Sequence, residues 1–145
     1  MRPAAGVPVL SSILGLAFGT AINLSLDYLL NQGYVVDGYG SNVVYLRDIN
    51  QFNYFWPDAT LYYNNGGLTR SEFIESTSYP NMYRYNSLYN TFVMSYGSPV
   101  NYSNSGSAVS ATWFSSNEGY ITLQYSPQIS NSGQMRYFTT VTVGL

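Results

Sequence analysis

"ATLYYNNGGLTRSEFIEST", residues 59–77, is the stretch that decides how this chain folds. Two runs rich in aromatic and β-branched residues flank Asn64-Asn65-Gly66-Gly67. Asn and Gly adopt positive φ angles at little steric cost, and a tight hairpin needs such angles. The stretch therefore predicts two antiparallel strands joined by a short turn. No other segment carries so strong a hairpin signal.

Upstream, "GYVV" (33–36) and "NVVYLR" (42–47) predict two more strands, with "DGYGS" (37–41) as their turn. "FNYFW" (52–56) predicts a strand closed by Pro57, with Pro57 and Asp58 in a turn. Downstream, Pro80 and Asn81 open a helix whose apolar face is Tyr85, Leu88, Tyr89, Phe92 and Tyr96. Gly97 ends that helix and Pro99 prevents its continuation. Three strands finish the chain: "SAVSATWFS" (107–115), "GYITLQY" (119–125) and "QMRYFTTVTVGL" (134–145), the last two separated by a long polar loop from Ser126 to Gln134.

The beginning of the chain allows three readings. Pro3 to Leu26 carries no charge. A membrane anchor, a cleaved export signal with small residues Gly19 and Ala21 near the cut, and a folded lead-in all fit. In the folded reading Thr20 caps a helix bearing Ile22, Leu26, Leu29 and Leu30 on one face, with Gly33 as its left-handed end and Tyr34 following. Gly15 to Phe18 then packs against that helix.

These elements predict an α+β fold in which two helices pack on one face of an antiparallel sheet. The order, helix then meander, occurs twice, which suggests two α-then-β repeats. Residues 1–145 are expected to form one domain. Residues 1–19 are the lead-in or leader, 20–79 a helix plus strands, and 80–145 a helix plus a three-strand meander.

Composition excludes much chemistry. Only 8% of residues are charged, against about 25% in an ordinary soluble domain. Hydrophobic residues make up 46%, enough for a core. All 5 basic residues are arginine (Arg2, Arg47, Arg70, Arg84, Arg136), and lysine, histidine and cysteine are missing. A net charge of -2 with scattered arginines does not suit a nucleic-acid partner. Without histidine or cysteine there is no thiol chemistry, no ordinary zinc site and no Ser-His-Asp triad. Without lysine there is no Schiff base and no P-loop. No metal and no cofactor is expected.

Seven carboxylates remain as acids or bases: Asp27, Asp37, Asp48, Asp58, Glu72, Glu75 and Glu118. A hydrolase of the glycosidase type needs two facing each other. Glu72 and Glu75 are three apart on a predicted strand and so point to opposite faces. Asp37 and Asp48 read as turn residues. Catalytic residues are therefore expected to be none.

Aromatic residues are the other resource, at 17% of the chain with 16 tyrosines. Six of them fall in "NQFNYFWPDATLYY" (50–63). Exposed, Tyr54, Trp56, Tyr62, Tyr63, Trp113 and Tyr120 would form a binding face for a protein or a glycan. Buried, Phe55, Trp56 and Trp113 are core, as large strand aromatics usually are. The tyrosines suit either role, because their rings pack while their hydroxyls reach water.

"ILGLAFGT...LDYLLNQGY" and "RYNSLYNTFVMSYGSPV...ATWFSSNEGYITLQY...RYFTTVTVGL" together resemble small secreted or lipoprotein-type proteins of gut Bacteroidetes. The motifs are Phe18-Gly19-Thr20 before a helix, Tyr96-Gly97 after one, and an aromatic strand ending at Trp113. Such proteins often carry an export signal and sometimes a lipid-bearing cysteine, a residue this chain lacks. A looser likeness is to helix-plus-meander modules of outer-membrane assembly lipoproteins and β-lactamase inhibitor proteins. It rests on the glycine-threonine helix start and on Gly97 and Pro99, and it implies protein binding through the sheet face.

The expected function is a non-enzymatic, exported binding domain of the periplasm or cell surface. A structural subunit of a filament or pilus-like assembly is the alternative, since neutral chains self-associate readily. A hydrolase using an acidic pair is the third. Membrane association is expected only through the N-terminal segment, where that segment is retained.

Overall fold

The computed structural model of the chain describes residues 11–114 and 119–145. At its centre is the hairpin expected from residues 59–77. Strands β5 (Tyr54–Asn64) and β6 (Gly67–Thr77) meet at the Asn64↔Gly67 pair. Asn65 (φ 52) and Gly66 (φ 83) are both left-handed, which is the type I′ turn. Thr69 is then an extra residue: Tyr63 pairs with Leu68, but Tyr62 pairs with Arg70. This bulge shifts the strand by one and turns Arg70 to the face that carries Tyr62.

The remaining strands are β1 (Ser12–Ile13), β2 (Leu16–Ala17), β3 (Val35–Tyr39), β4 (Val43–Gln51), β7 (Asn101–Ser105), β8 (Ala108–Phe114), β9 (Tyr120–Ile129) and β10 (Met135–Gly144). The helices are α1 (Ile22–Asn31) and α2 (Tyr83–Tyr96). Strands β1 and β2 form a small hairpin, and the other eight make one sheet in the order β3-β4-β5-β6-β10-β9-β8-β7. Every pairing is antiparallel. Each helix is followed by a four-strand meander, and the last strands of the two meanders, β6 and β10, pair at the centre. Of the described residues, strands take 56% and helices 18%, so sheet dominates the architecture.

Alternation along the strands separates two faces. One is apolar and buried. A row across it reads Leu46, Ala59, Phe73, Val141, Leu123, Ala111, each at most 1% exposed. A second row reads Val44, Leu61, Ser71, Val143, Ile121, Trp113. Helix α2 lays Leu88 and Phe92 on this face, with Phe92 edge-on to Trp113 at 5.5 Å. Helix α1 contributes Leu29 and Ser25, with Ile22 and Leu26 packed beside them. It ends in a Schellman motif: Gly33 N–H donates to the Leu30 carbonyl and Tyr34 N–H to the Leu29 carbonyl, with Gly33 at φ +85.

The lead-in is folded from residue 11 onward. Ile13, Leu14 and Leu16 belong to the core. Gly19 N–H donates to the Leu68 carbonyl (2.7 Å) and Leu68 N–H to the Thr20 carbonyl (2.9 Å), tying the lead-in to the start of β6. Among the described residues no helix is long and apolar enough to cross a membrane. The expectations for Arg2 and Glu118 lie outside the described residues.

Several boundaries differ from the sequence reading, each for a physical reason. Thr20 does not cap α1: its hydroxyl donates to the Ala17 carbonyl, and Ala21 is the N-cap. Leu30 leaves the apolar face of α1, 60% exposed, and Ser25 takes a place on it. Phe52 and Asn53 (φ 57 and 63) are a turn between Gln51 and Tyr54, not strand. A left-handed Phe is strained. Its ring compensates by packing edge-on against Phe73 (5.4 Å) and Phe92 (5.8 Å).

Pro57 does not close a strand, and Asp58 lies inside β5. The ladder to β4 skips the Pro57 level, pairing Arg47 with Asp58 and Ile49 with Trp56, and the ladder to β6 starts only at Asp58. A residue without an N–H is tolerated there. Strand β9 runs on through Pro127 to Ile129 because β8 pairs with it only as far as Tyr125, leaving Pro127 on an edge. The polar loop thus shrinks to residues 130–134. Asp37 lies inside β3 at an irregularity between Val36 and Gly38. Strand β7 makes the second meander four-stranded.

Candidate functional site

The face of the sheet opposite the helices is covered by no described element. Its central row reads Tyr45, Thr60, Glu72, Thr142, Thr122, Thr112, Asn101, one residue from each of seven adjacent strands. The next row reads Arg47, Asp58, Ile74, Thr140, Gln124, Ser110, Ser103. Hydroxyl and amide groups replace the usual lysines and glutamates. Thr112 and Thr122 bond hydroxyl to hydroxyl at 3.0 Å.

A third row lies toward one end of the strands: Val43, Tyr62, Arg70, Gly144, Tyr120, Phe114. The Arg70 guanidinium lies over the Tyr62 ring at 4.1 Å, a cation–π contact. Gly144 leaves room for the Tyr120 ring: a Cβ there would meet that ring within 2.9 Å. Beside this row opens a cleft of about 510 Å³, lined chiefly by Asn42, Tyr45, Tyr62, Asn64, Arg70 and Tyr120. No carboxylate lies within 4.0 Å of the Arg70 guanidinium among the described residues. Partial burial pushes the Tyr62 hydroxyl above its ordinary pKa, and Glu72 adds to this while Arg70 opposes it.

Of the six residues singled out from the sequence, Tyr62, Tyr63 and Tyr120 line this cleft. Tyr63, one residue on, faces the helices and is 5% exposed. Burial raises its pKa, with Ser25 opposing. Trp56 (0% exposed) and Trp113 (1%) are core, as strand packing of large aromatics expects, so neither offers a surface, but Phe55, expected in the core with them, is 48% exposed. Each indole N–H donates to a backbone carbonyl, Trp56 to Gln51 and Trp113 to Gly97, both at 2.9 Å. Tyr54 stands apart, under the Arg84 guanidinium at 4.5 Å. Arg84 also donates to the Phe55 carbonyl (2.6 Å) and approaches Glu75 at 4.0 Å, fastening α2 to β5 and β6.

Arg70, Tyr45 and the threonine row went unnoticed in the sequence. Alternation along residues 42–47 would have placed Tyr45 opposite the buried Val44 and Leu46. Of the described carboxylates, Glu72 faces the open side and Glu75 faces α2, as their strand spacing requires. Asp37 is ion-paired with Arg47 at 3.0 Å, both half-exposed, a contact of little energetic weight. Comparison of the chain with protein-family models, with curated proteins and with solved structures finds no match.

Proposed function

We propose that this chain is a non-enzymatic, exported binding domain that seats a protein partner on the open face of its sheet. The observation that supports this most is the asymmetry of the sheet, with helices on one side and no described element on the other. We read the two helix-then-meander halves as related units, both helices covering the same face so that the opposite one stays free. Eight strands spaced about 4.8 Å span roughly 34 Å, and ten-residue strands run about as far. That exceeds the roughly 800 Å² each partner gives to a standard interface. The surface is rich in tyrosine, carries Arg70 and has no lysine, which is the composition of interface anchors. The row Tyr62, Arg70, Tyr120 is the anchor in this reading. The likeness to helix-plus-meander modules points the same way, as does the charge-poor surface for a bacterial periplasm or cell surface.

The cleft supports a second reading, a glycan partner. Three tyrosine rings with the Asn42 and Asn64 amides beside them suit stacking and hydrogen bonding to a sugar. Photo-crosslinking separates the readings. Benzoylphenylalanine at Thr122 or Thr140 is expected to give the same protein adduct in native extracts, lost on adding Arg70→Ala. The same probe at Asn23 on α1 should give none. Adducts from Asn23 alone would refute the open face as the binding surface. Retention on a glycan array, abolished by Tyr62→Ala, would favour the sugar.

A further inference from the structure

We propose that the outer edge of β7 pairs antiparallel with β7 of a second copy of this chain, joining two sheets edge to edge. Among the described residues the sheet has two unpaired edges, and they are built differently. Strand β3 is interrupted between Val36 and Gly38 and carries Asp37, ion-paired with Arg47. Irregularity and charge are the devices that keep an edge from pairing with another chain. Strand β7 has neither. All of its residues, Asn101 to Ser105, are exposed, uncharged and free of proline. Its register with β8 is unbroken from Asn101↔Thr112 to Ser105↔Ala108. No described strand pairs with its outer side.

The helix side of this edge ends in a pocket of about 280 Å³ lined by Tyr85, Asn86, Tyr89 and Tyr102. Tyr102 is 53% exposed and stands edge-on to Tyr89 at 6.3 Å. The Tyr85 hydroxyl beside them is buried without a hydrogen-bond partner among the described residues. An added strand thus gains both backbone pairing and a side-chain recess, the two parts of strand-addition recognition.

The strand's own sequence suits the second copy. With a two-fold axis at Ser103, that residue meets Ser103 of the partner subunit. Tyr102 lies opposite Asn104 of the partner subunit, and Asn101 opposite Ser105 of the partner subunit. Every pair is neutral and able to hydrogen-bond, and an isologous contact requires only this one self-complementary patch. On the helix side, Asn104 of the partner subunit arrives next to the tyrosine pocket and its Asn86 rim. A five-residue ladder buries less than the roughly 1,200 Å² of stable complexes, so the dimer is weak and reversible.

Sedimentation equilibrium from micromolar to millimolar protein tests this. The wild type is expected to shift from monomer to dimer. Ser103→Lys, which sets two like charges across the axis, should weaken the dimer roughly tenfold or more. Thr122→Lys on the open face should leave it unchanged. In a chain without cysteine, Ser103→Cys should oxidise to a covalent dimer, since opposed strand Cα atoms lie about 4.5–5.5 Å apart. Thr122→Cys should not. A wild type that stays monomeric throughout, a dimer untouched by Ser103→Lys, or cross-linking no faster at Ser103→Cys than at Thr122→Cys would each overturn the proposal.

Discussion

Gly66 and Gly67 are adjacent, yet replacing each with alanine should have different consequences. Gly66 sits at φ +83 with no atom within 4 Å of an added Cβ. Ala there meets only the left-handed penalty, about 1–2 kcal/mol. At Gly67 an added Cβ would lie 2.9 Å from the Gly19 carbonyl oxygen and 3.1 Å from its Cα. Both are backbone atoms, so no side chain can swing away. Relief requires the lead-in to move, which strains the Gly19–Leu68 and Leu68–Thr20 hydrogen bonds. Overpacking costs about 1–3 kcal/mol, and the two weakened bonds add about 1 kcal/mol each at most. Gly67→Ala should therefore lose roughly 2–4 kcal/mol, more than Gly66→Ala. Urea unfolding followed by the fluorescence of the buried Trp56 and Trp113 measures both. A midpoint for Gly67→Ala at or above that of Gly66→Ala would refute the docking of the lead-in on β6.

Three further outcomes follow from the core and its tyrosines. Deleting residues 1–17 removes the buried Ile13, Leu14 and Leu16 and should cost on the order of 5 kcal/mol, seen as loss of the cooperative unfolding transition at ordinary temperature. Tyr85→Phe removes a buried hydroxyl that has no hydrogen-bond partner among the described residues and should stabilise by about 1 kcal/mol, raising Tm by about 3 °C in calorimetry. Burial pushes the hydroxyls of Tyr85 and Tyr96 up to about 12, with Tyr102 and Tyr89 adding to the effect at Tyr85. Their folded pKa values stand above the unfolded value near 10. This contribution is thus complete below pH 10 and lost as pH rises toward 12. Urea midpoints should fall across that window, less steeply in Tyr85→Phe.

The central hairpin was legible because Asn65 and Gly66 supply the two positive φ angles a two-residue turn requires. Helix α2 was legible because Tyr85, Leu88, Tyr89 and Phe92 keep a helical spacing and Gly97 ends it. The opposition of Glu72 and Glu75 followed from strand alternation alone. Phe52 was not legible, since its left-handed conformation is bought by contacts with Phe73 and Phe92 that are distant in sequence. Strand β7 was missed because five polar, exposed residues show no periodicity. Arg70 was hidden by the bulge at Thr69: plain alternation from Leu68 would place Arg70 on the buried face, and only the extra residue turns it beside Tyr62. Phe55 illustrates the limit of a general rule: large strand aromatics usually pack inward, as Trp56 and Trp113 do, yet Phe55 is 48% exposed.

Thiol labelling at neighbouring positions tests the division into a covered and an open face most directly. In this cysteine-free chain, the half-buried Thr122→Cys and Thr140→Cys should react with a thiol reagent in the folded protein, while Leu123→Cys and Val141→Cys should react only on unfolding. Equal protection at all four would mean that something already occupies the threonine face, and the account given of this protein would be wrong.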